Sequence, residues 1–208
     1  MKIVAISDTH GSHTECPLIE CDVLVHAGDI TNRGEMECLK DFAHWLADYP
    51  AEHKIVIAGN HDWCFYKRNK GRNVLEDNGI IYLQDEGCKI GDINFWGSPW
   101  QPDFCNWAFN RPRGIALREK WQLVPEETDV LITHGPPATI LDAVGNSGPL
   151  GCVDLLEEVI DRIKPRAHIF GHVHAGYGER WGEGIRFVNA SLLDESYCMT
   201  NAPREMEI

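Results

Sequence analysis

The stretch AHIFGHVHAG (Ala167–Gly176) decides the fold, because it joins a short apolar run to polar residues that are bracketed by glycine. Continuous apolar runs of this length are typical of strands that are buried on both faces. His172 and His174 follow the run at once, and residues two apart in an extended segment project to the same side. The stretch therefore predicts a buried strand that delivers two histidines to one place.

Similar runs recur along the chain, and segments with helical spacing lie between several of them. The runs are KIVAI (2–6), DVLVH (22–26), KIVIA (54–58), INFWG (93–97), DVLIT (129–133) and IRFVN (185–189). The helical segments are 35–49, 153–164 and, more weakly, 118–124. Strands that alternate with helices indicate βαβ units. The stretch 80–97 has no helix between its strand-like runs, so part of the sheet is expected to be antiparallel.

These patterns predict an α/β fold in which a two-sheet mixed β-sandwich is flanked by helices, in α/β/β/α layers. No linker divides the chain, so we expect a single domain over residues 1–208.

The charge of the chain limits its partners. It has 19 basic and 32 acidic residues, a formal net charge of −13. Such a surface repels nucleic acid and anionic membranes, so we expect neither duplex nucleic acid nor a membrane as a partner. The first apolar run is short for a signal peptide, and the eight cysteines form no C-x-x-C pair. We therefore expect reduced thiols and a cytoplasmic location.

Five of the apolar runs end in loops that carry Asp, Asn or His, nearly always beside glycine. In α/β sheets the ligand site lies beyond the carboxyl ends of the strands, so these loops are expected to meet. Oxygen and imidazole ligands without thiolate suit Mn, Fe, Zn, Ni or Mg. The candidate metal ligands are Asp8, His10, Asp29, Asn60, His134, His172 and His174.

Seven ligands are too many for one small ion and suit two, with one carboxylate shared between them. Two ions roughly 3.5–4 Å apart are the usual device for in-line displacement at phosphorus. Each motif also has a plainer interpretation when taken alone. Asp8 and Asp29 could lie in ordinary turns, and His134 could be a hydrogen-bonded histidine without a metal. The recurrence at five strand ends favours the metal site.

The motifs D-x-H, G-D, G-N-H-D, T-H-G and G-H-x-H run in this order from Asp8 to His174. This order resembles the calcineurin-like metallophosphoesterases. A closer resemblance is to a branch of metallophosphoesterase-domain-containing proteins expressed in brain. The segments that carry it are HKIVIAGNHD (53–62), GSPWQPDFCNWAFNRPRG (97–114), THGPP (133–137), GCVDLL (151–156) and FGHVHAGYG (170–178).

The resemblance implies the fold expected above and a hydrolase of phosphoric esters that uses two divalent metal ions. Manganese is favoured, with Fe, Zn, Ni and Mg as alternatives. The implied ligands are Asp8, His10 and His174 for the first ion, Asn60, His134 and His172 for the second, and Asp29 as the bridge. A hydroxide between the metals would be the nucleophile.

The resemblance also implies a catalytic residue, because His61 would protonate the leaving oxygen as general acid. Asn60, His61 and Arg33 are the substrate-binding candidates.

One departure from the protein phosphatases of the superfamily bears on the substrate. Those enzymes carry G-D-x-x-D-R-G, whereas this chain has Asn32 in place of the second Asp, and Asp62 where they have Glu. A phosphodiesterase acting on small phosphodiesters is favoured, with nucleotides, including cyclic nucleotides, among the candidate substrates. The alternatives are a phosphomonoesterase, including a protein phosphatase, and a metal-dependent nucleotide-binding scaffold with low activity.

The tryptophan-rich segment 96–109 has two interpretations, core packing under a loop and an aromatic surface on which a nucleotide base stacks. Core packing is favoured. Within and beside this segment, Trp100 and Asn110 are the residues expected to face a ligand.

Overall fold

The computed structural model describes residues 1–66, 70–145, 148 and 150–208. Its first sheet has five strands in the order β13-β1-β2-β3-β4, and all neighbours are parallel except β13 against β1. The strands are β1 (Lys2–Ile6), β2 (Cys21–His26), β3 (Ala51–Val56), β4 (Ile81–Tyr82) and β13 (Arg204–Glu207).

The second sheet has six strands in the order β11-β12-β10-β9-β6-β5. Its two outer pairs are antiparallel, and its inner neighbours are parallel. The strands are β5 (Glu86–Ile90), β6 (Ile93–Ser98), β9 (Val130–Thr133), β10 (Ala167–Phe170), β11 (Gly178–Gly182) and β12 (Ile185–Asn189). A separate parallel pair joins β7 (Gln101–Pro102) to β8 (Asn110–Arg111).

The helices pack outside the sheets. They are α1 (Met36–Ala47), α2 (Trp63–Tyr66), α3 (Lys70–Glu76), α4 (Ile115–Trp121) and α5 (Val153–Glu157), which continues as a π-helical segment (Glu158–Ile163). None of the helices within the described residues has both the length and the apolar character that crossing a membrane requires.

Alternate residues of the inner strands belong to two different apolar clusters. Ile3 and Ala5 of β1 pack in a cluster between the sheets, which contains no helix residue among those described, whereas Val4 and Ile6 pack in a cluster that includes the helices. Phe42 of α1 belongs to this outer cluster. Each inner strand is therefore covered on both faces, which explains why these strands are continuous apolar runs.

The predicted two-sheet sandwich flanked by helices is confirmed, and so is an antiparallel part of the sheet. The predicted helix 35–49 is observed as α1, and 153–164 is observed with its second half in π-helical form. The weaker prediction 118–124 lies three residues too late, because α4 begins at Ile115 after Gly114. β13 was not predicted, since Met206 is its single buried residue and no apolar run marks it.

Candidate metal centre

The carboxyl ends of the parallel strands meet at one edge of the sandwich, and main-chain hydrogen bonds tie their loops together. The Asp8 N–H donates to the Gly28 carbonyl at 2.9 Å, and the His10 N–H donates to the Asp29 carbonyl at 3.0 Å. Ser7 forms a parallel bridge with Ser191, which joins the first sheet to the second. The seven predicted ligands are all brought to this edge, on loops that their neighbours fix.

Four of these residues have left-handed backbone, which L-residues seldom adopt. Their φ angles are 54° at Asp8, 43° at His10, 56° at Asp29 and 67° at His172. Such conformations cost about 1–3 kcal/mol each and persist where the surrounding structure fixes them, commonly at functional sites. The strain re-aims each side chain at the end of its strand.

The first cluster consists of Asp8, His10 and His174, whose ligand atoms all lie within 4.8 Å of one another. His174 Nε2 is 3.5 Å from Asp8 Oδ1. The Nδ1–H of His174 donates to the carbonyl of Asp194 at 2.9 Å, since a carbonyl can only accept. This bond fixes the ring so that Nε2 faces the carboxylate, as second-shell bonds do for metal-binding histidines.

The second cluster consists of Asp29, His134 and His172, again with ligand atoms within 4.8 Å of one another. His134 Nε2 lies 3.3 Å from Asp29 Oδ2 and 2.9 Å from the amide oxygen of Asn60. The Nδ1–H of His134 donates to the Ala27 carbonyl at 2.9 Å. Asn60 therefore presents its oxygen to the same point as Asp29 and His134.

Asp29 lies between the two clusters. Its Oδ2 is 3.7 Å from His10 Nε2 in the first cluster as well as 3.3 Å from His134 Nε2 in the second. Its Oδ1 accepts a hydrogen bond from the His61 main-chain N–H at 2.8 Å. One carboxylate oxygen is thus held by the backbone while the other faces both groups of histidines.

The donor set fits divalent cations. Both ring nitrogens of His10 are buried and lack a hydrogen-bond partner among the described residues. Burial disfavours the charged forms of His134 and His174, but Asp29 and Asp8 outweigh it and raise the pKa of each histidine to about 9. Protons on these two histidines thus balance the negative charges of Asp29 and Asp8. A bound metal ion could balance the same charges, and its binding would release the protons.

His61 also lies within reach of this centre, with ligand atoms within 4.8 Å of those of His10 and Asp29. Its Nδ1–H donates to the main-chain carbonyl of Asn32 at 2.7 Å. Its ring stacks on Trp107, with 4.1 Å between centroids and 24° between planes. The carbonyl of Asn32, and not its side chain, therefore orients His61.

The other substrate-binding candidate, Arg33, is exposed, and its guanidinium carbon lies 5.6 Å from the centre of the Trp107 ring. Contact of Trp100 and Asn110 with a ligand stays a prediction. Trp100 is 8% exposed and donates its indole N–H to Asp85 at 2.8 Å. The Asn110 side-chain amide donates to the Phe104 carbonyl at 2.6 Å. Asn110 lines the same cavity as Trp107, and Trp107 contacts the centre through the His61 ring.

The supporting roles of two residues were not predicted. Buried Asp62 accepts hydrogen bonds from the main-chain N–H groups of Ile30, Thr31 and Gly59 at 3.2, 2.9 and 2.9 Å. It thereby joins the loops after β2 and β3. Ser191 donates its hydroxyl to Asp8 Oδ2 at 2.8 Å. The signal for Ser191 was present, because the run IRFVN (185–189) also ends in a polar residue and Ser191 follows two residues later.

Comparison with known proteins shows the family of this chain. The family model described as calcineurin-like phosphoesterase matches residues 1–176. Metallophosphoesterase domain-containing protein 1 of Homo sapiens is 40% identical over 225 residues, covering 97% of this chain and 69% of that protein. UPF0046 protein K07C11.7 of Caenorhabditis elegans is 40% identical over 216 residues, covering 98% of this chain and 73% of that protein.

Among solved structures, TT1561 of Thermus thermophilus matches with a TM-score of 0.63 and 13% identity, over 90% of this chain and 88% of that one. At that identity the match shows the fold alone. The family typically binds two divalent metal ions, and this chain has candidate Asp and His groups for them. The chain therefore belongs to the calcineurin-like metallophosphoesterases, a family of phosphoric ester hydrolases.

Proposed function

We propose that this protein is a phosphodiesterase that hydrolyses small phosphodiesters with two divalent metal ions, manganese being favoured. The observation that carries the proposal is the position of Asp29 between two clusters of ligand atoms, with His10 on one side and His134 on the other. A shared carboxylate between two clusters is the arrangement that a dinuclear centre requires.

Each ion would have its own ligands and share Asp29. Bound metal would supply a nucleophile from water at neutral pH and neutralise charge on the phosphoryl oxygens. The residues that would hold the first ion are Asp8, His10 and His174, and those that would hold the second are Asn60, His134 and His172.

His61 is proposed as the catalytic general acid. Because its Nδ1–H is used by the Asn32 carbonyl, Nε2 is the nitrogen that would carry the transferred proton. Stacking on Trp107 and the bond from its main-chain N–H to Asp29 hold the ring beside the centre. In this position His61 would donate a proton to the leaving oxygen.

Asn60 and Arg33 are proposed to contact the phosphoryl group together with His61. Asn60 lies beside His134 in the second cluster, and Arg33 packs over the Trp107 ring on which His61 stacks.

A diester substrate is favoured over a monoester by the charges around the centre. A diester carries one negative charge, whereas a monoester carries close to two at neutral pH. Exposed carboxylates of Asp103 and Glu195 line the cavity that also contains His172 and His174. They would repel the dianion more strongly than the monoanion, while Arg113 on the same cavity is engaged by the Leu150 and Gly151 carbonyls.

We also propose that the protein works in a reducing compartment, the cytoplasm. All eight cysteines are free thiols, which is the state that such a compartment maintains.

The proposal is tested by removing metal, restoring Mn, Ni, Zn, Mg or Fe separately, and comparing bis-p-nitrophenyl phosphate with p-nitrophenyl phosphate. Cyclic 2′,3′- and 3′,5′-nucleotides complete the panel. We expect manganese-dependent turnover with preference for the diester. Preference for the monoester would contradict the diesterase, and no turnover with any metal would favour the binding scaffold.

A further inference from the structure

Two cavities flank the metal centre, and Phe104 lines both. The first has a volume of about 480 Å³ and is lined by His172 and His174. The second has a volume of about 410 Å³ and is lined by Trp107, the ring on which His61 stacks. The centre therefore has one cavity on the side of two metal-binding candidates and another on the side of the proposed general acid.

A phosphodiester has two ester groups, of which hydrolysis releases one and leaves the other on phosphorus. The leaving group must lie beside the general acid, which donates a proton to its oxygen. Among the described residues His61 lines neither cavity, but its ring stacks on Trp107, which lines the second, whereas no such contact joins it to the first. The first cavity is therefore available to the ester group that stays on phosphorus.

Two aromatic side chains line this first cavity, and each packs against histidines of the centre. The Tyr197 ring lies 4.9 Å from the His10 ring and 5.2 Å from the His174 ring, between centroids. The Phe104 ring lies 5.1 Å from the His172 ring. Tyr197 and Phe104 still expose 52% and 38% of their surface, so both can contact a ligand.

The rest of the cavity is largely apolar, and hydrogen bonds hold one side of it. Pro136 and Leu150 contribute apolar surface, and the Arg113 guanidinium donates to the Leu150 carbonyl at 2.8 Å and the Gly151 carbonyl at 2.7 Å. The two carboxylates of Asp103 and Glu195 lie on the same cavity, and the one arginine there, Arg113, is already engaged by main-chain carbonyls, so an anionic group is disfavoured.

We infer that this cavity binds a planar, uncharged ester group retained on phosphorus, with Phe104 and Tyr197 as the residues that determine this specificity. The inference rests on the proposed phosphodiesterase function and names its substrate class. Tyr197 lies outside residues 1–176, the part of the chain that the family model matches.

The test compares two diesters with the same leaving group. Bis-p-nitrophenyl phosphate retains an aryl group, and methyl p-nitrophenyl phosphate retains a methyl group. The measured quantity is kcat/KM for the aryl-retaining diester divided by kcat/KM for the methyl-retaining diester, with manganese bound. The intrinsic reactivities of the two esters are the same for every variant, so they cancel when the ratio of a variant is compared with that of the wild type. We expect Tyr197→Ala and Phe104→Ala to lower the ratio about 3- to 10-fold, the worth of one aromatic contact.

Tyr197→Phe keeps the ring and is expected to keep the ratio. The matched control is Trp181→Leu, which removes an aromatic residue that is 64% exposed on β11 and should also keep it. An unchanged ratio in Tyr197→Ala would overturn the inference, and so would a fall in Tyr197→Phe as large as that in Tyr197→Ala. A general loss of metal would lower kcat/KM for both diesters by the same factor and leave the ratio unchanged.

A second readout does not depend on turnover. Calorimetry should show that the manganese-loaded protein binds phenylphosphonate more tightly than methylphosphonate, and that Tyr197→Ala removes the difference. Equal affinities in the wild type would contradict the inference. Failure of the proposed function is distinguishable, because it would appear as preference for the monoester or as no turnover, while this binding difference could still be measured.

Discussion

At the residue scale, the centre depends on which nitrogen of each histidine is already bonded. His134, His174 and His61 all donate Nδ1–H to main-chain carbonyls, which leaves Nε2 to face the centre. A main-chain carbonyl acts here as a carboxylate does in many metal sites, by fixing the ring and its tautomer.

Asn60 and His61 are neighbours in sequence with different proposed roles, so their substitutions should differ. Asn60→Ala should lower metal occupancy, because it removes the amide oxygen 2.9 Å from His134 Nε2. His61→Ala should keep both metals while kcat falls by roughly 10²–10⁴, the usual effect of losing a general acid. Metal analysis and steady-state kinetics on both variants check this, and loss of metal from His61→Ala would show that His61 is a ligand.

A buried histidine outside the ligand set should shape the pH dependence of stability. Burial lowers the pKa of His168 to about 3, and its Nε2–H donates to the Thr133 hydroxyl at 2.8 Å. The contribution of neutral His168 to the free energy of unfolding is complete above pH ~6.5 and is lost as pH falls below that value. The reason is that the unfolded chain then takes up a proton that the folded chain does not. The loss is about 1.4 kcal/mol per pH unit below that value.

His168→Gln removes this dependence. In urea unfolding of the metal-free protein, the difference in free energy of unfolding between wild type and variant should shrink by about 1.4 kcal/mol from pH 7.5 to pH 5.5. A difference that stays constant between these two pH values would show that His168 is not held neutral in the fold.

The ligands could be predicted from the sequence because each follows an apolar run, which is a local signal. The groups that orient them could not, because they act through main-chain carbonyls that every residue has. Neither the Asp194 carbonyl at His174 nor the Asn32 carbonyl at His61 is marked by a side chain.

At the element scale, the end of β10 must approach the end of β1 closely. A Cβ at Gly171 would overlap Asp8 Oδ2 and Ser7 Oγ, so only glycine fits between these two strand ends. Gly171→Ala should therefore displace Asp8 and reduce metal binding at the first site. The matched control is Gly182→Ala on β11, where the nearest atom to an added Cβ is Phe187 Cε2 at 3.8 Å.

Metal content and thermal unfolding of the two glycine variants decide this point. Gly182→Ala should match the wild type in both measurements. Full metal occupancy in Gly171→Ala would contradict the close approach of β10 to β1.

Elements were predictable where burial leaves a periodic pattern, and α1 shows this with Leu39, Phe42 and Leu46 on one buried face. β13 alternates exposed and buried positions around Met206, so it has no distinctive run. β13 is placed by its antiparallel pairing with β1, which is a long-range contact that local sequence does not report.

At the scale of the whole molecule, we propose that residues 1–208 form one domain. Residues of both sheets, such as Ile3 and Ile169, share one buried cluster, and Ser7 and Ser191 join the sheets at the metal edge. The metal-free protein should therefore unfold in a single cooperative transition. Circular dichroism and tryptophan fluorescence should give coincident urea curves, and two separated transitions would contradict the single domain.

The central claim is that one chain holds two metal ions through ligands from two clusters, and the number of manganese ions bound per chain tests it most directly. We predict two ions in the wild type and one in His174→Ala, which loses a ligand of the first cluster only. His134→Ala should likewise keep the ion of the first cluster. A wild-type value of one ion or none, measured by elemental analysis at saturating manganese, would contradict the dinuclear centre.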